Sequence, residues 1–167
     1  MLGALLAGTV TFQSAEAAGG KEGFTYQQSK AAQSGETVKV AGMQWYTDLG
    51  SALAQAKKSN RPVFLLGTGS DWCGFCIRLE KNVLKDKAFQ KYAEDNLVLL
   101  YVDSPRRKKQ SAAVASHAKT LLKQFKINGF PTVVLLAPDG RELGRKGGYG
   151  GVPAQKYVDE IKAIVNK

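Results

Sequence analysis

Pro62-Val63-Phe64-Leu65-Leu66-Gly67-Thr68-Gly69-Ser70-Asp71-Trp72-Cys73-Gly74-Phe75-Cys76 joins an apolar run of strand length to a turn cluster and then to both cysteines of the chain. Val63 to Leu66 has the continuous apolar character of a central strand buried on both faces. Thr68 to Asp71 are turn formers. From Cys73 a helical pattern runs through Leu84, with Ile77, Leu79, Glu80 and Val83 at its repeating positions. A Cys-x-x-Cys pair at such a junction sets its first sulfur at a helix N-terminus, where free N–H groups and the helix dipole stabilise a thiolate. The second cysteine, one turn on, can attack a mixed disulfide formed at the first. The loop between them is too short to act as a staple, because closing it removes little unfolded-state entropy. The pattern points to thiol–disulfide exchange.

Two other readings fit the pair taken alone. A structural zinc site needs about four ligands, and the chain adds only one histidine, His117, with no second Cys-x-x-Cys. The cysteines could also be ordinary thiols lying close by chance. The surrounding pattern weighs against both, and neither a metal nor a cofactor is expected.

Outward from this stretch the chain alternates strand and helix patterns. Gln44-Trp45-Tyr46 reads as a first edge strand, with a short strand at Thr37–Val40 before it. Thr47 or Asp48 caps a helix through Lys58 that Asn60-Arg61-Pro62 ends. Asp86 caps a continuation through Tyr92. Leu97–Val102 is a second buried strand, Ser111–Phe125 a helix, and Thr132–Leu136 a third strand. The Pro138-Asp139-Gly140 turn leads to a hairpin partner at Glu142–Lys146, and Pro153–Val165 closes the chain as an amphipathic helix. Long helical crossovers imply parallel pairing and the short turn implies an antiparallel pair. The expected fold is therefore α/β, a mixed central sheet flanked by helices. Gly147–Gly151 lacks the strand-to-helix context of a dinucleotide-binding loop and reads as a plain loop.

At 167 residues with 44% hydrophobic content, the chain can build one core of ordinary domain size. Residues 1–18 differ from the rest: an uncharged apolar run ends in Ser14-Ala15-Glu16-Ala17-Ala18, a small-x-small pattern of the signal-peptidase type. No Lys or Arg precedes the run, so a leader here lacks its positive n-region. The run is too short to span a bilayer. Residues 19–43 read as a flexible lead-in and 44–167 as the folded domain. The formal charge of +10 is spread along the chain, with one dense run at Arg106-Arg107-Lys108-Lys109. Without aromatic interleaving or a recognition motif this reads as a solvated positive surface, and no nucleic-acid partner is expected.

The order of elements, with Trp72-Cys73-Gly74-Phe75-Cys76 after the first core strand and Gly129-Phe130-Pro131-Thr132 before the third, resembles the thioredoxin superfamily from about Trp45 to Lys167. The stretch Thr68–Cys76 is most similar to periplasmic thioredoxin-like disulfide reductases of the DsbH and DsbD types. The resemblance implies that Cys73 is the exposed attacking thiolate and Cys76 the buried resolving thiol. It implies that Pro131 is a cis-proline facing the sulfurs, that Phe130 offers backbone to an extended client, and that Trp72, Gly74 and Phe75 flank the client. It further implies disulfide-bearing client proteins and a membrane-embedded thiol reductant as partners.

Two departures stand out. Gly67 falls where thioredoxin carries a buried aspartate, while Asp71 is expected to cap the active-site helix and Glu80 to face water. Pro105–Ser116 lengthens the connection after the second strand. The reading is an exported, periplasmic thiol–disulfide oxidoreductase, a reductase or isomerase, monomeric because the short polar segment before Trp45 offers no dimerisation domain. The alternatives are a non-catalytic binding module on the same fold and a Cu(I) metallochaperone using the two thiols.

Overall fold

A computed structural model describes residues 35–167; the apolar run at 1–18 and most of the lead-in lie outside the described residues. The elements follow the sequence pattern closely. They are β1 (Thr37–Val40), β2 (Met43–Tyr46), α1 (Leu49–Ser59), β3 (Val63–Thr68), α2 (Gly74–Leu79), a π-helical turn (Glu80–Leu84) and α3 (Lys87–Asn96). Then come β4 (Val98–Asp103), α4 (Ala112–Gln124), β5 (Thr132–Leu136), β6 (Glu142–Gly147) and α5 (Ala154–Val165).

Capping explains where the helices start. Asp48, Asp86 and Ser111 each turn a side-chain oxygen onto an amide of the first turn of α1, α3 and α4. Asn60 ends α1 in the left-handed region, at φ 50°, where asparagine is among the few tolerated side chains.

The six strands lie in the order β1-β2-β4-β3-β5-β6. β4 is parallel to β2 and β3, whereas β1–β2, β3–β5 and β5–β6 are antiparallel. This is the mixed sheet expected. One detail differs: β1 pairs with β2 over its whole length, so the sheet edge passes from Gln44–Tyr46 to Thr37–Val40.

β3 is central and buried at every position. Its alternation divides the core: Phe64 and Leu66 join Trp45, Phe89, Leu135 and Tyr157 in one cluster. Val63 and Leu65 join Leu53, Leu100, Val134 and Leu136 in the other. Side chains of a strand point alternately to opposite faces, so one continuous apolar run fills both layers. The consequence for function is rigidity at the end of β3, where the cysteines begin.

Candidate active site

β3 ends at Thr68, and the chain turns through Gly69 to Trp72 before entering α2. The amides of Trp72 and Cys73 both donate to the Gly69 carbonyl. Gly69 is required sterically: a Cβ there would lie 2.6 Å from Trp72 Cε2. The indole is fixed from its other side, since its Nε1–H donates to the Ser104 carbonyl at 2.8 Å. Its ring packs edge-to-face on Phe130 with centroids 5.9 Å apart.

Cys73 itself is the N-cap of α2. Its Sγ accepts the Cys76 amide N–H at 3.3 Å and lies 3.7 Å from the Phe130 carbonyl oxygen. A disulfide joins Cys73 to Cys76, with Cα atoms 5.2 Å apart. The Phe130–Pro131 peptide bond is cis, and Pro131 is buried. The strand-to-helix junction and the turn before β5 therefore meet at one sulfur, although 57 residues separate Cys73 from Phe130.

The exposure expected to distinguish the two cysteines is small in this linked state, 8% for Cys73 and 4% for Cys76. Cys73 is shielded because the Phe130 carbonyl and the first turn of α2 occupy its flanks. Gly74 is open, with nothing within 4 Å of an added Cβ. Phe75 is 53% exposed, with the Arg78 guanidinium 4.5 Å above its ring. Ile77, expected on the buried face of the helix, is 47% exposed. It follows Cys76 in a turn whose inward positions are taken by Cys76 and Leu79. Phe75 and Ile77 thus expose apolar side chains on the helix that carries the dithiol.

The acids do not behave as the sequence pattern suggests. Asp71 does not cap α2, because Cys73 occupies that position. Its carboxylate instead accepts three successive amides, from Arg106 at 2.9 Å, Arg107 at 2.7 Å and Lys108 at 2.8 Å. Those bonds, led by the Arg106 amide, hold its pKa down at about 2. Glu80 is half-buried and pairs with Lys85 at 3.3 Å. Gly67 leaves no acid in β3, and a Cβ there would meet Ile127 at 3.0 Å.

The acid that does reach this region is Asp103, at the end of β4, where the parallel register sets it beside Thr68. It is 6% exposed and accepts the Ser70 amide at 2.9 Å and the Ser70 hydroxyl at 2.6 Å. Sequence reading missed it; an acid closing an apolar strand that runs parallel to β3 was the available signal. Burial pushes the Tyr101 hydroxyl well above its usual range, with Asp103 and Glu80 adding to the effect. Among the described residues, no three or more His, Cys, Asp or Glu side chains gather as a metal site would require, and no helix is long and apolar enough to cross a membrane.

A Cys-x-x-Cys disulfide at the N-terminus of the helix that follows the central strand of a mixed sheet has the geometry of a thiol–disulfide oxidoreductase of thioredoxin architecture. The chain belongs to the thioredoxin-like domain family, whose model it matches over residues 49–164. Among its relatives is the disulfide bond reductase DsbH of Chlamydia pneumoniae, 31% identical over 128 residues that make up 77% of this chain and 76% of that protein. The thiol:disulfide interchange protein DsbD of Pectobacterium atrosepticum is 33% identical over 116 residues, 69% of this chain but only 18% of DsbD. A solved DsbH oxidoreductase superposes with a TM-score of 0.69 at 28% identity, over 80% of this chain and 90% of its own.

Proposed function

We propose that the chain is an exported disulfide reductase in which Cys73 is the nucleophile and Cys76 the resolving thiol. The observation that carries this is the position of Cys73 Sγ, facing both the Cys76 amide and the Phe130 carbonyl. In the reduced protein the Cys73 thiolate attacks one sulfur of a client disulfide. The old S–S bond breaks, one client thiolate leaves and takes up a proton, and a mixed disulfide forms. The Cys76 thiolate, after giving up its proton, then attacks Cys73 Sγ and releases the second client thiolate. Two electrons pass to the client and the Cys73–Cys76 disulfide remains. Restoring the dithiol needs an external thiol reductant, for which a membrane-embedded donor is the natural source in an oxidising compartment.

The client lies along the Phe130 backbone, as an extended segment pairs with an exposed strand end. Trp72, Gly74 and Phe75 border it. The openness at Gly74 lets a client sulfur approach, and the exposed Phe75 ring offers apolar contact. Export is supported by the small-x-small pattern at Ala15 and Ala17. Action as a single copy is supported by the short polar segment before Trp45, which offers no dimerisation domain.

The test is trapping. Cys76→Ser, unable to resolve, should accumulate disulfide-linked client adducts on Cys73 that reductant releases. Cys73→Ser should accumulate none. Equal adducts on both variants would overturn the assignment of roles.

A further inference from the structure

The lengthened connection after β4 carries Arg106-Arg107-Lys108-Lys109, all exposed. Nothing in the dithiol cycle requires them. Four like charges in succession repel one another, yet the structure holds this run in a defined place beside the cysteines. Asp71, two residues before Cys73, ties down three of the four backbone amides. The Arg106 guanidinium stacks over the Trp72 ring at 3.9 Å, and Lys108 Nζ reaches the Ser70 hydroxyl at 3.5 Å. Arg106 over Trp72, and Trp72 edge-to-face on Phe130, thus form a chain of contacts that ends at the carbonyl facing Cys73 Sγ.

From this juxtaposition we infer that the Arg106–Lys109 loop selects clients whose reacting cysteine is flanked by acidic residues. The inference rests on the dithiol reading above and adds a substrate class to it. A client chain paired along Phe130 brings its neighbouring residues within reach of the Arg106 guanidinium. Carboxylates there meet a guanidinium already seated on Trp72, on a loop whose backbone Asp71 holds in advance, so little ordering cost is added on binding. Placement at the reacting sulfur favours a client segment over a bilayer, which would be engaged by a face remote from the chemistry.

The experiment follows oxidation of the reduced protein by synthetic peptides with one internal disulfide, flanked by Glu, Gln or Lys. The readout is the ratio of second-order rate constants, Glu-flanked over Gln-flanked. At low ionic strength the ratio should be about tenfold, in the range of electrostatic steering, and the Lys-flanked peptide should be slowest. At high salt, with the Debye length cut to roughly 3 Å at 1 M, the ratio should fall toward one. Arg106→Gln/Arg107→Gln/Lys109→Gln should remove most of the preference. Arg107→Gln/Lys109→Gln, which leaves the Trp72 stack intact, should reduce it in part. A wild-type ratio near one, or a ratio unchanged in both variants, would overturn the inference while leaving the dithiol cycle standing. So would a ratio near one accompanied by salt-sensitive sedimentation on phosphatidylglycerol vesicles, which would assign the loop to an anionic surface. Failure to react with any of the peptides would instead overturn the dithiol reading itself.

Discussion

The amide of Cys76 donates to Sγ of Cys73 across 3.3 Å, which turns a free first-turn donor of α2 onto the sulfur that caps it. With Cys73 as the nucleophile proposed above, the same donor faces its thiolate in the reduced protein. A hydrogen bond to a charged group is worth about 1.5–3 kcal/mol, and the helix dipole adds about 0.3–1 kcal/mol. Cys76, inside the helix, has no such arrangement. Reduced protein treated with iodoacetamide near neutral pH should therefore label Cys73 faster than Cys76 by about tenfold or more, since each 1.4 kcal/mol is a factor of ten. Peptide mapping after short exposures measures the ratio, and equal labelling would contradict the arrangement.

Gly69 should tolerate no side chain. Gly69→Ala drives a Cβ into Trp72, whose indole is already tied to Ser104. Overpacking of this kind costs about 1–3 kcal/mol. The cost should appear in urea unfolding, together with an altered near-UV signal from the displaced indole. An unchanged midpoint and spectrum would show that the turn has more room than its geometry allows.

Asp71 should act as the clamp of the basic loop. Asp71→Asn removes the charge that the Arg106, Arg107 and Lys108 amides share, so those amides should exchange with deuterium faster. The pH dependence has a definite sign. The folded pKa of about 2 lies below the ordinary value of 3.8, so the contribution is present above about pH 4 and fades as pH falls toward 2. Urea midpoints of wild type and variant should differ at pH 6 and converge near pH 2. Parallel curves at all pH values would contradict this.

Phe64 is fully buried and meets both Trp45 and Phe89 edge-to-face, at centroid distances of 6.0 and 5.5 Å. Phe64→Ala should cost about 3–5 kcal/mol, a large share of a stability that for such domains is roughly 5–15 kcal/mol. Chemical denaturation measures it. A loss below about 1 kcal/mol would place the weight of the core elsewhere.

Much of this was legible in the chain because the signals were local. The apolar run at Val63–Leu66 could only be a strand buried on both faces, and Asp48, Asp86 and Ser111 stand where caps belong. What escaped depends on pairing between distant segments. Asp71 looked like a cap because it precedes a helix; only the return of Arg106–Lys108 gives its carboxylate three donors. Ile77 fits a helical apolar repeat, yet the inward positions of that turn belong to Cys76 and Leu79. Asp103 becomes part of the cysteine turn only through the β3–β4 register, and the basic run reads as plain surface until Arg106 is found on Trp72.

The measurement that bears most directly on the whole account is the potential of the Cys73–Cys76 pair, obtained by equilibrating the folded protein in glutathione buffers and trapping free thiols by alkylation. A reductase fed by a thiol donor requires a value near that of thioredoxin, about −270 mV, and this is the result the account predicts. A value near that of DsbA, about −120 mV, would make the protein an oxidant of its clients and contradict it.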